Sequence, residues 1–143
     1  MAGVLLFTKS AAVATIASGC ALVSLAGFLM LLYELIHDIA GFPDYKLPIW
    51  AVAYLLVYLI SGFAFVIFAL HIGGPGQYFG GFVGGPKEAC LDALYLSTSN
   101  YIGVAPDPSF TIKTQGSRFL AVGQGLLSMF LNVVIITKFV SSF

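Results

Sequence analysis

The stretch "STSNYIGVAPDP", residues 97–108, interrupts an otherwise very hydrophobic chain. It follows the helix-like run "PKEACLDALYL" and precedes a long apolar segment that begins after Arg118. In a soluble protein such a run of Ser, Thr, Asn, Gly and Pro is a surface loop. In a bilayer it is either a surface loop or a backbone-lined site, because irregular backbone at membrane depth must be buried in protein or line a watery cavity. The fold turns on which of these it is.

Composition decides the solvent. Of the 143 residues, 59% are hydrophobic and 8% are charged, and the mean hydropathy is +1.01. Soluble domains carry about 25% charged residues. The chain is therefore expected in a bilayer as a multi-pass protein. The net charge of zero offers no electrostatic case for a nucleic-acid partner. Cys20 and Cys90 sit singly in apolar runs, without the spacing of a disulfide framework or a zinc site.

Outward from the opening stretch, three apolar runs are long enough to cross a hydrocarbon core, which takes about 20 residues. The first is residues 11–33. It continues well past the faintly lipoprotein-like "IASGC", too far for a signal-peptide core. "GFPDYK", residues 41–46, ends it with Gly, Pro and a polar turn. The second is residues 47–70, with Pro48 suited to the first helical turn and Trp50 and His71 near its two ends. The third is residues 119–139, uncharged until Lys138 but holding Gln124 and Asn132.

Between the second and third runs lies "GGPGQYFGGFVGG", residues 73–85, flexible but rich in aromatics. A helix follows from Pro86, with Glu88 in its first turn, favourable at the positive helix end. At roughly 12 residues it is only ~18 Å long and cannot span. The expected fold is an all-α integral membrane protein with three transmembrane helices and one short re-entrant helix between helices 2 and 3. Residues 1–46 form an added N-terminal helix and polar turn. Residues 47–143 form one unit: a spanning helix at 47–71, a glycine-rich turret at 73–85, the re-entrant helix at 86–98, a loop at 99–108 and a spanning helix at 117–142.

"DALYLS", residues 92–97, resembles the pore-helix start of bacterial and two-pore-type potassium channels, in which sequences of the form "xALYFSxxTxTTVGYGD" are common. "GSRFLAVGQGLLSMFLNVVIITKFVSS", residues 116–142, is similar to the inner helix of the same pore-loop cation channel superfamily. The resemblance implies that Thr98, Ser99, Asn100, Tyr101, Ile102, Gly103, Val104 and Ala105 form a filter-like loop after a half-helix. A half-helix turns its negative carboxyl end towards the bilayer centre, and loop carbonyls replace hydration water around a cation. The filter is degenerate. "IGVAPD" lacks the paired glycines of TVGYG, and Pro106 fixes φ and removes a donor. Potassium selectivity is not carried over.

The resemblance implies a homotetrameric channel subunit that passes monovalent cations with poor potassium selectivity. The alternative is a non-conducting accessory subunit that keeps the fold to pack among unrelated membrane chains. Gln124 and Asn132 lie eight residues apart, nearly on one helix face, as pore lining or as interhelical contacts. Topology conflicts with an outward pore loop. That orientation puts Lys9, Lys87, Lys113 and Arg118 outside and only Lys46 and Lys138 inside, against the positive-inside rule.

Glu34, His37 and Asp38 share a helix face and make a weak metal candidate, as in Glu-x-x-His half-sites, but no second half-site exists. The reading favoured there is an interfacial helix end. Trp50, Tyr54 and Tyr58 form a packing stripe. With no nucleophile–base pair, P-loop or dinucleotide fingerprint, neither an enzyme nor a cofactor is expected.

Overall fold

A computed structural model describes residues 48–140, residues 25–38, and positions 15, 16, 19, 22 and 23. Helix α1 is its continuous part at 25–38. It is followed by α2 (Ile49–Gly73), β1 (Phe79–Gly80), α3 (Pro86–Ile102), β2 (Thr111–Ile112) and α4 (Gln115–Val140). Among the described residues, two helices are long and apolar enough to cross a membrane: Ile49–Gly73 and Gln115–Lys138. The first expected span, 11–33, falls partly outside the described residues, and the turn at 41–46 does so wholly.

Pro48 stands just before α2 as its N-cap, with φ −69° and ψ 140°. Its carbonyl accepts from the backbone N–H groups of Ala51 (2.9 Å) and Val52 (3.3 Å). Leu55, Leu59, Phe63 and Ile67, each four residues from the last, turn one stripe of α2 inward. Phe28 and Leu32 of α1 and Leu131 of α4 join Leu55, Leu59 and Phe63 in one core. The Phe28 and Tyr58 rings stack at 6.0 Å. Trp50 and Tyr54 of the aromatic stripe point outward, whereas Tyr58 is half-buried.

Helix α3 opens with Pro86 at its first position and buries Ala89, Ala93 and Leu96. Small residues at this spacing let its backbone lie close to α2. The second core joins Ala93 and Leu96 to Ile67 and Phe79, beneath Phe82 and Phe110.

The connections before and after α3 meet. β1 and β2 are antiparallel, with Phe79 opposite Ile112 and Gly80 opposite Thr111. The Lys113 ammonium donates to the Gly76 carbonyl at 2.9 Å. The Lys113 N–H donates to the Tyr78 carbonyl at 3.0 Å, and the Ser117 hydroxyl donates to the same oxygen at 3.1 Å. Gly81, at φ +91°, has no room for a Cβ because the Ser109 carbonyl occupies that space. Thr114 caps α4 by accepting the Ser117 N–H at 3.2 Å.

The helix expected at 86–98 continues to Ile102, so five residues expected in the filter-like loop, Thr98 to Ile102, are helical. The physical reason lies in their side chains. Ser, Thr and Asn favour turns when they bond to nearby backbone. Here Ser97, Asn100 and Tyr101 bond to other helices, and the Thr98 hydroxyl donates back to the Leu94 carbonyl at 2.8 Å. The helix stops at Gly103, which takes the left-handed conformation with φ +75° and ψ 20°. Among the described residues no non-glycine has positive φ.

Candidate functional site

The last turn of α3 and the segment after it form the site. The N–H groups of Gly103 and Val104 both donate to the Ser99 carbonyl, the latter at 3.0 Å. Among the described residues, no hydrogen bond reaches the carbonyl oxygens of residues 100–105. They lie at the negative end of a 17-residue helix. Ile102, Gly103, Val104 and Ala105 are exposed. The chain then runs back along α3: the Asp107 N–H donates to the Tyr95 hydroxyl at 3.3 Å, and the Tyr95 and Phe110 rings lie 5.6 Å apart. Asp107 accepts from the Ser109 N–H at 2.8 Å, and this bond holds its carboxyl below the ordinary range.

A polar ladder secures α3 behind this end. Gln124 of α4 is fully buried. Its amide nitrogen donates to the Ser97 carbonyl at 2.9 Å and to the Ser97 hydroxyl at 2.8 Å. Its amide oxygen accepts from Asn100 at 3.4 Å. The Ser97 hydroxyl donates in turn to the Ile60 carbonyl of α2 at 2.7 Å. Two turns along α4, Asn132 accepts from the Tyr101 hydroxyl at 2.7 Å. Buried polar groups are stable when each finds a partner, and these do.

Gln124 and Asn132 therefore make interhelical hydrogen bonds here. Of the filter-like residues, Ser99 is buried, Asn100 and Tyr101 turn to α4, and Thr98 bonds within its own helix. Gly103, Val104 and Ala105 alone retain non-helical, exposed backbone. Glu34, His37 and Asp38 are exposed on α1, with His37 6.3 Å from the Tyr33 ring. Among the described residues no group of three metal-ligating side chains forms.

Sequence reasoning missed Ser97 as the centre of the ladder and Tyr95 as the support of the return segment. The available signal was Gln124 itself. An amide in an apolar helix requires partners, and the nearby helix carries polar side chains at 97 and 100, one turn apart.

No protein-family model, no curated protein and no solved structure matches this chain. The resemblance to pore-loop channels rests on the motifs at 92–97 and 116–142 alone.

Proposed function

We propose that the chain is a pore-loop-type subunit of a membrane assembly, with α3 entering the bilayer and leaving it on the same side. The observation that carries this reading is the meeting of both α3 connections at β1–β2 and at Lys113–Gly76. A 17-residue α3 is ~25 Å long, and the chain returns along it to where it began. Hydroxyl groups on the two long helices support the bilayer setting. Ser61 donates to the Val57 carbonyl at 2.6 Å, Ser128 to Gln124 at 2.7 Å and Thr137 to Val133 at 2.8 Å. Satisfying hydroxyls within the helix suits a solvent that cannot hydrogen-bond. The third spanning helix of the proposal includes α1.

Unpaired carbonyls at 100–105 cannot face lipid. In the assembly they line a watery path or are covered by protein. The first case is a cation path built from four copies of the chain. The second is a non-conducting accessory subunit among unrelated chains. The helical state of residues 98–102 favours the second, because carbonyls spent on helix bonds up to Ser99 cannot replace ion hydration. The deciding experiment purifies the native particle, counts its copies, and measures cation flux after reconstitution. Four copies with flux support the channel, and one copy beside other chains without flux supports the accessory subunit. A soluble monomer would refute both.

A further inference from the structure

Helix α3 has a free face. It buries Ala89, Ala93 and Leu96, whereas Leu91, Leu94 and Ile102 are 67%, 43% and 64% exposed. Thr98 takes the remaining place in that row, and its hydroxyl is spent on the Leu94 carbonyl. The spacing of 91, 94, 98 and 102 sets them along one side of the helix. The row runs into exposed Val104 and into the unpaired carbonyls of residues 100–105. The depth of that end follows from α4. Asn100 bonds to Gln124 and Tyr101 to Asn132, so α3 stops level with the middle of the span Gln115–Lys138. The charged residues of α4 are Arg118 and Lys138, each six residues from that level, or about 9 Å along the axis. Neither α1 nor α2 carries a Lys or Arg among the described residues.

We propose that this face receives a membrane-spanning helix of a different polypeptide, apolar except for one arginine level with the end of α3. The guanidinium offers several N–H donors in a fixed fork to the carbonyls of 100–105, and the negative end of α3 adds to the attraction. Charged side chains inside a bilayer pair with backbone carbonyls, and the aliphatic stem of the arginine covers Ile102 and Val104. A second copy of this chain, held at the same depth, brings no Lys or Arg of its described helices to that level. The inference rests on the re-entrant reading of α3 and names the partner in the accessory-subunit case.

The test uses the full, unmodified chain in phosphatidylcholine nanodiscs. The probes are synthetic spanning helices of about 20 leucine and alanine residues. They are identical except for arginine or leucine at the centre, and each carries a photoreactive side chain one turn from that position. Cross-link yield is measured against peptide concentration, and the cross-linked residues are mapped. The arginine helix is expected to bind about tenfold more tightly than the leucine helix, the fold-change of one charge-assisted hydrogen bond, with its cross-links on residues 94–105. Equal binding of the two helices, or cross-links confined to α2 or α4, would overturn the partner assignment while leaving the re-entrant reading intact. Loss of the arginine preference in potassium chloride but not in N-methylglucamine chloride would overturn it too, by assigning the carbonyls to an inorganic cation. Impermeant labelling of Gly76→Cys and Lys113→Cys from opposite sides of sealed vesicles would remove the re-entrant reading itself.

Discussion

Gln124 and Ser97, 27 residues apart in the chain, are joined by one amide nitrogen that donates to both the carbonyl (2.9 Å) and the hydroxyl (2.8 Å) of the serine. Both residues are fully buried. Ser97→Ala leaves one Gln124 N–H without its acceptor, whereas Gln124→Leu leaves the Ser97 hydroxyl donating to the Ile60 carbonyl and takes the acceptor from Asn100. Interhelical hydrogen bonds in bilayers average ~0.6 kcal/mol in double-mutant cycles, whereas an orphaned buried group costs about 1–3 kcal/mol. Ser97→Ala and Gln124→Leu are each expected to destabilise by about 1–3 kcal/mol. The double variant should lose less than the sum, since the pair leaves no orphan between its two members. Equilibrium unfolding in mixed micelles measures the cycle, and strict additivity would show that the two do not interact.

Gly103 tests backbone strain without a steric complication. Its φ is +75°, and a Cβ there would meet nothing within 4 Å. Gly103→Val should cost on the order of 1–3 kcal/mol. Gly103→Asn should be much milder, because Asn tolerates the left-handed region. Flux and recovery of the intact oligomer, scored together, separate the two proposed roles. Lost flux with assembly intact indicates a channel, and lost assembly in a protein without flux indicates an accessory subunit. If neither changes, the segment after Gly103 acts as an ordinary solvated loop.

Gly81 and Gly76 differ in the opposite respect. Both have positive φ, but only at Gly81 would a Cβ run into backbone, the Ser109 carbonyl. Gly81→Ala is therefore expected to loosen the turret and expose it to proteolysis, while Gly76→Ala has only the strain of its φ. Equal protease sensitivity of the two variants would remove the close approach of residues 81 and 109 as a structural requirement.

The Lys113–Gly76 contact predicts sidedness. Cysteines introduced at these positions in sealed vesicles should be labelled by an impermeant reagent from the same side. Labelling from opposite sides is incompatible with a 2.9 Å hydrogen bond between them and would end the pore-loop proposal.

If the assembly conducts, potassium and sodium should be poorly discriminated. Ala105 and Pro106 follow Gly103 and Val104 where the family filter has paired glycines, and the fixed φ of proline prevents alternate carbonyls from turning inward. Reversal potentials in asymmetric salt measure this directly, and strong potassium selectivity would contradict it.

Local patterns in the sequence were enough to locate α2, the start of α3 and α4. Long uncharged runs are apolar on every side, Pro48 and Pro86 are tolerated only at helix starts, and Gly103 is the one residue in its stretch able to take positive φ without strain. The end of α3 was not legible. Thr98, Ser99 and Asn100 favour a turn when judged alone, but Thr98 bonds back within its own helix and Asn100 is held by a distant partner. Asn100 and Tyr101 are claimed by residues 24 and 31 positions further along. The pairing of β1 with β2 was equally hidden, because two-residue strands carry no period to read. Gln124 announced that it needed partners, but only the packing of α4 against α3 selected Ser97 and Asn100. Periodicity and capping act within a few residues, whereas the satisfaction of a buried amide depends on which groups the tertiary fold brings within hydrogen-bond distance.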